Sequence, residues 1–322
     1  MNAFDIFLKF VPDLKPLLEG NDVAEIQINA EAVFTERCGV VLREPLRLDQ
    51  GRLYDACKTV AWHYAQQELE VNPIVDLRLP DGSRVAIVVP PVSQDGITVT
   101  IRRHQRRYFS LGALVDAEMM TEDVAGVLES AVLRKMNVLI SGQPGVGKTT
   151  LLNAMANCIP ADQRVIIIED TTEIQVPHEN QRRFEAKVGS VSMRQLLAAS
   201  LRHSPGRLLL GEIRGAEAFD LMQLLNTGSA GSMCTLHASS AYLALRRFSS
   251  CVLMAGIDIP YRAIRSDISD SIQLIVHLAR DGDGKRQVCE LVKMVGYDSD
   301  VDRYQLEELH MLAANDRMLL PA

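Results

Sequence analysis

Several kinds of residue are scarce in this sequence, and each scarcity removes a class of protein. Aromatic residues make up 5% of the chain and Trp62 is the one tryptophan, too few for the stacking platforms on which single-stranded nucleic acid lies. Basic residues do not outnumber acidic ones: 34 Lys and Arg stand against 41 Asp and Glu, a formal net charge of -7. A protein whose main work is coating nucleic acid is therefore excluded, although a local basic patch is not. The six cysteines (Cys38, Cys57, Cys158, Cys234, Cys251 and Cys289) form no C-x-x-C pair, so neither a disulfide framework nor a zinc site is expected. They read as small buried apolar side chains. No uncharged run approaches the roughly 18 apolar residues that cross a bilayer; the longest, Phe248 to Ile257, contains two serines and a glycine. Residues 1–20 lack a basic start and carry Asp5, Lys9, Asp13 and Lys15, unlike a secretory signal. The expectation is a cytoplasmic protein whose membrane attachment, if any, is peripheral. Internal repeats and low-complexity segments are absent too.

What remains is an ordinary globular composition over 322 residues, 47% hydrophobic and 23% charged, enough for about two domains with a core each. Its centre is Val138 to Leu152, VLISGQPGVGKTTLL. Gly142, Gln143, Pro144, Gly145, Val146, Gly147, Lys148 and Thr149 spell G-x-x-x-x-G-K-[ST], between an apolar strand and a helix carrying Leu151, Leu152 and Met155. Glycines let the backbone wrap around phosphate oxygens, and the helix N-terminus adds partial positive charge there. Lys148 is placed to reach β- and γ-phosphates, the Thr149 hydroxyl to take a Mg²⁺ position, and Thr150 to extend the loop's grip. ATP and Mg²⁺ are the implied cofactors.

On either side the pattern divides. Residues 1–108 read as a small α+β domain: a helix over Phe4 to Leu18, a hairpin at 24–29 and 32–34, a helix over Gln50 to Glu70, and further strands at 75–79, 84–89 and 97–102. The arginine-rich stretch Arg102 to Arg107 ends it and reads as a linker. From 109 to 322 strands and helices alternate. Arg164 to Ile168 and Arg207 to Leu210 are all-apolar runs after their first residue, as parallel strands covered on both faces must be. One run ends at Glu169-Asp170-Thr171-Thr172-Glu173 and the other at Gly211-Glu212-Ile213-Arg214. Ligands gather beyond the carboxyl ends of such strands, so these acids and the phosphate loop are expected on one nucleotide. A closing hairpin spans 273–278 and 287–295.

Four elements now stand in order: the phosphate loop, Ile168-Glu169-Asp170-Thr-Thr-Glu173, Gly211-Glu212-Ile213-Arg214, and Thr227-Gly228-Ser229 through Thr235-Leu236-His237-Ala238. Together they resemble the Walker A loop, Asp box, Walker B and His box of the hexameric traffic ATPases that power type IV secretion, conjugation and pilus machines. Leu79-Pro80-Asp81-Gly82-Ser83-Arg84-Val85, Pro90-Pro91 and Thr100-Ile101-Arg102-Arg103 resemble stretches of the conjugation and type IV secretion branch, which includes the tight-adherence pilus ATPases. The chain departs twice, with Ser229 for the first His-box histidine and Thr171 for the Asp-box proline.

The resemblance implies a RecA-like P-loop core in a parallel-dominated sheet, preceded by the smaller α+β domain that supplies ring contacts. It implies a homohexamer, peripheral on the inner membrane and partnered with inner-membrane components of its machine, with no stable nucleic-acid binding. Glu212 is expected to polarise the attacking water, Glu173 to orient it or hold Mg²⁺ through a water, and His237 to assist. Arg84 and Arg102 are expected to bring cations to the phosphates from the first domain. Arg214 reads as the partner of Glu212 and as the core domain's one arginine beside a nucleotide motif. The alternative reading is a nucleic-acid translocase on the same core.

Overall fold

Prolines shape the start of the chain. The apolar pattern of Phe4 to Leu18 is not one helix but α1, Asp5–Phe10, a 3₁₀ turn over Pro12–Leu14, and α2, Lys15–Glu19. Pro12 and Pro16 each sit in a first turn, where a missing N–H goes unnoticed, and neither fits a helix interior. The computed structural model describes residues 4–20, 22–37, 40–103, 109–187, 189–226, 228, 230–281 and 284–312. Two compact units, Met1–Arg106 and Arg107–Ala322, make up the chain.

In the first unit β1 (Val23–Asn29), β2 (Ala32–Arg37) and β3 (Val40–Arg47) precede α3 (Gln50–Val60), which is followed by β4 (Ile74–Arg78), β5 (Arg84–Val88) and β6 (Thr98–Arg102). Asp49 caps α3 by accepting from the N–H of Arg52. The helix loosens into a π turn over Ala61–Ala65 and stops at Gln66 in the left-handed region, short of the expected Glu70. The six strands form one antiparallel sheet in the order β3-β2-β1-β6-β5-β4. Alternation sends Ile26, Ile28, Val85, Ile87, Val99 and Ile101 into a core with Phe7, Leu53, Cys57 and Val60. β3 carries no such signal, because it is an edge strand with Val40, Val41 and Leu42 about half exposed. On the sheet's other face Arg84 stands directly opposite Arg102, with Arg78 beyond it on β4 and Glu25 on β1.

The second unit opens with α4 (Leu111–Asp116) and α5 (Glu122–Leu133), followed by β7 (Val138–Gly142), α6 (Lys148–Ala156), β8 (Val165–Glu169), β9 (Gln181–Glu185) and α7 (Met193–Ser200). It continues through β10 (Arg207–Ile213), α8 (Glu217–Asn226), β11 (Met233–Leu236), α9 (Ala241–Leu253), α10 (Tyr261–Ser271), β12 (Leu274–Arg280), β13 (Arg286–Asp298) and β14 (Arg303–Met311). Side chains of Thr121, Ser192 and Ser240 cap α5, α7 and α9, and Ser192 with Gln195 makes a full capping box.

The eight strands lie in the order β14-β13-β12-β7-β11-β10-β8-β9, with β12 through β9 parallel and the β12-β13-β14 meander antiparallel. Residues of β7 and β8 are buried throughout. Ile140 and Ile167 join the core with Leu114, Leu128 and Leu152, while Leu139 and Ile166 face Met222, Phe248 and Ile264. This is the parallel-dominated α/β core of the sequence reading. β9, made of Gln181, Arg182, Arg183, Phe184 and Glu185, escaped it because an edge strand need not be apolar. Cys57, Cys234, Cys251 and Cys289 are buried free thiols and Cys158 is half-buried; Cys38 lies outside the described residues, as do Thr227, Ser229 and the end of the arginine-rich linker. Among the described residues no helix is long and apolar enough to cross a membrane.

Arg207, at the start of β10, is 1% exposed. Its guanidinium donates to the carbonyl of Val132 at 2.8 Å, to that of Gly231 at 3.4 Å and to Gln163 Oε1 at 2.6 Å. A buried cation is tolerable only when its donors are matched, and here the match ties α5 and the turn before β11 to β10. Gly231 has φ +81°, and a Cβ there would lie 1.8 Å from Arg207 Nη1, whereas Gly228, at φ +106°, has nothing within 4 Å. Gly231→Ala is therefore expected to cost about 2–4 kcal/mol and Gly228→Ala about 1–2 kcal/mol, the latter from backbone conformation alone. Urea midpoints of the two variants measure the difference.

Candidate active site

The strand order β7-β11-β10-β8 sets four successive strand ends side by side. They carry the phosphate loop, His237, Glu212 and Glu169, a sequence in space different from that along the chain. The loop's glycines are sterically fixed. Gly142 has φ +154° and a Cβ there would meet the Leu278 carbonyl at 2.5 Å; at Gly147, φ +99°, it would meet Met119 Cε at 2.8 Å. Gly145, φ +73°, is required by conformation alone. Gln143, Pro144 and Gly145 are exposed, Val146 is buried beneath them, and Thr149 and Thr150 are half-buried.

Lys148 is 8% exposed. Its ammonium donates to the carbonyls of Gly142 at 3.1 Å and Gln143 at 3.0 Å and lies 3.0 Å from His237 Nδ1. Burial pulls its pKa below the ordinary lysine value, and the charges of Glu212 and Glu173 oppose that fall. An ammonium only donates, so Nδ1 of His237 accepts from it, and a neutral ring then carries its proton on Nε2. Nε2 lies 2.7 Å from Glu212 Oε1. The approach is close but not aligned as a hydrogen bond, and Oε1 is buried with no hydrogen-bond partner among the described residues. The other oxygen of Glu212 accepts from Arg214 Nη2 at 2.8 Å, and Arg214 Nη1 reaches Asp170 Oδ2 at 2.6 Å. Glu212 is thus clamped through one oxygen, while the other is buried against the imidazole with its acceptor capacity unused.

Glu173 meets the end of the phosphate loop, its Oε2 accepting from the Thr149 hydroxyl at 3.3 Å. Two hard oxygen ligands side by side at the first turn of α6 suit a magnesium ion, which takes few protein ligands and completes its shell with phosphate and water. Glu169, 1% exposed, accepts the backbone N–H of Glu173 and of Ile174. Burial pushes its pKa up to about 7, against the lowering effect of those two bonds.

Arg84 and Arg102 are exposed neighbours on the first unit's sheet and make no side-chain hydrogen bond or ion pair among the described residues. The expectation that Arg214 is the one core arginine beside a nucleotide motif is corrected. Arg280, at the end of β12, donates to the Gly145 carbonyl at 3.3 Å and to that of Gly284 at 2.8 Å. Sequence separation hid it, since 135 residues divide Arg280 from the turn it braces. Asn153, one helical turn beyond Thr149, was likewise unmarked by any motif.

Comparison with known proteins agrees in one direction. Residues 25–314 match the family described as Type II/IV secretion system protein. The conjugal transfer protein TrbB of Rhizobium radiobacter is 33% identical over 295 residues, covering 90% of this chain and 88% of that protein. The VirB11 ATPase of the Brucella suis type IV secretion system, solved in complex with sulphate, is 29% identical with a TM-score of 0.51, over 90% of this chain and 96% of that one. The Legionella pneumophila ATPase DotB, 21% identical, shares the fold with a TM-score of 0.65 over 88% of this chain and 80% of its own.

Losing the Arg280 brace frees the Gly145 turn but touches none of the acids. Arg280→Ala is expected to weaken nucleotide affinity about two- to tenfold, as fits one hydrogen bond of about 0.5–1.5 kcal/mol. Turnover at saturating nucleotide stays near that of the parent; titration with a fluorescent ATP analogue and steady-state kinetics read the two effects separately.

Proposed function

The chain belongs to the type II/IV secretion system protein family, and from that premise we propose that it is an ATP-hydrolysing hexameric motor. It works at the cytoplasmic base of a type IV secretion, conjugation or related pilus-assembly machine, peripheral on the inner membrane and in contact with that machine's inner-membrane components. The observation that carries this reading is His237 within 3.0 Å of both the phosphate-loop lysine and Glu212. A phosphate-binding turn without catalysis has no use for a half-buried acid with an unpaired oxygen beside it.

Phosphoryl transfer to water asks for positioning and charge neutralisation. Lys148 and the backbone of Gly145 to Thr149 hold the β- and γ-phosphates. Thr149 and Glu173 are the residues that would hold Mg²⁺, which supplies charge neutralisation when bound. Glu212 Oε1 accepts a proton from the attacking water, and His237 keeps that carboxylate in register with Lys148. The first domain, residues 1–108, supplies ring contacts and brings Arg84 and Arg102 to the phosphates when it closes on the second, residues 109–322. That closure is the working stroke.

Lys148→Ala is expected to abolish ATP binding, whereas Glu212→Gln binds ATP normally and loses about 10²–10⁴ in turnover. Equal loss of affinity in both variants would contradict the two roles. Single-stranded DNA leaves the parent's turnover unchanged; marked stimulation would favour the translocase reading. Sedimentation at saturating Mg-ATP is expected to give a hexamer, and a monomer there would remove the ring. Arg84→Ala and Arg102→Ala each lower turnover at least tenfold with the ring intact, since an arginine at the transferring phosphoryl group is worth far more than a surface ion pair.

A further inference from the structure

Beyond β8 the chain runs from Asp170 to Asn180 without regular structure, yet the one part of it that reaches the phosphate loop is pinned from two sides. Glu169 turns its side chain under this segment, and its Oε1 accepts from the N–H of Glu173 and of Ile174, both at 2.7 Å. From the other side Asn153, 7% exposed, donates through Nδ2 to the Glu173 carbonyl at 3.3 Å and accepts through Oδ1 from the N–H of Gln175 at 2.8 Å. Asn153 lies four residues after Thr149 on α6, hence on the same face. One face of one helix therefore meets the Glu173 carboxylate through Thr149 and the Glu173 main chain through Asn153.

The seat of Glu169 is costly. Its Oε2 is buried without a hydrogen-bond partner among the described residues, the nearest cation being Arg183 at 3.8 Å. An apolar side chain would fill the same strand end without that penalty. Room for the carboxylate also restricts a second motif: a Cβ on Gly211 would approach Glu169 Cγ to 3.1 Å. The glycine beside Glu212 thus gives passage to the side chain of Glu169, and the two strand ends interlock.

We propose that Glu169 and Asn153 are positioning residues for Glu173, fixing its main chain from both sides so that its carboxylate stays aimed at Thr149. The inference rests on the role given to Glu173 above. The main chain that carries this exposed carboxylate is then fixed on an irregular loop, which catalysis demands, since a misplacement of about 1 Å costs on the order of 10²-fold.

The test is steady-state ATP hydrolysis by Glu169→Ala, Glu169→Gln, Asn153→Ala and Glu173→Ala, alone and combined, with rates normalised to sites that bind a fluorescent ATP analogue. Glu169→Ala and Asn153→Ala are expected to lower kcat about 10- to 100-fold while the analogue's Kd stays within about twofold of the parent's. Glu169→Gln, which keeps an acceptor for both N–H groups, returns kcat to within about threefold of the parent. In the Glu173→Ala background neither pin removal costs more than about twofold further, because both act through the same residue. A purely structural role would lower the number of binding sites and leave the rate per bound nucleotide at the parent's value. That result, or effects that multiply in full on Glu173→Ala, overturns the inference. If Glu169→Ala does not fold, Asn153→Ala decides alone. Parent-like turnover by Glu173→Ala would overturn the role of Glu173 and the inference with it, whereas impaired Glu173→Ala beside parent-like pin variants overturns the inference only.

Discussion

An ammonium group held out of water is the constraint on which the core unit turns. Lys148 is nearly buried at the start of α6, and its charge is tolerable there because two loop carbonyls and an imidazole accept from it. Phosphate oxygens are the natural replacements for those acceptors. The glycines that let the loop fold back on the lysine, and the strand that delivers His237 beside it, all follow from keeping one charge both desolvated and matched.

The same logic extends outward through the acids. Glu212 sits between the imidazole that meets Lys148 and the guanidinium of Arg214, which in turn holds Asp170. Lysine, imidazole, Walker B carboxylate, guanidinium and Asp-box carboxylate thus form one chain of contacts across four strand ends. Its inner end at Lys148 is buried, whereas the Arg214 and Asp170 side chains are exposed and their ion pair contributes little. Oε1 of Glu212 lies within that chain, against the imidazole, without an aligned hydrogen bond.

The first unit presents a different economy of charge. Like charges directly opposite on neighbouring strands are unfavourable, by several tenths of a kcal/mol, yet Arg84 faces Arg102 with Arg78 next in line. Glu25, the register partner of Arg102 on β1, offsets part of that repulsion. The apolar alternation on the opposite face carries the stability, which leaves the outer face free to hold cations at a modest penalty.

What the sequence determined by itself was whatever depends on local chemistry. The phosphate loop was legible because its glycine spacing and its Lys148-Thr149 pair are imposed by the ligand, and the buried parallel strands were legible because Ile166 to Ile168 and Leu208 to Leu210 have no polar face. Caps at Thr121 and Ser192 were legible for the same local reason. Edge strands β3 and β9 were not, since an edge has solvent on one side and no periodicity to enforce. Pro12 and Pro16 were visible, but the apolar spacing around them read through as one helix. Only the tertiary structure set the order β7-β11-β10-β8, which places His237 between the phosphate loop and Glu212, and brought Arg280 to Gly145 and Asn153 to Glu173. Those contacts join residues far apart in the chain through strand order and side-chain reach, which no local pattern encodes.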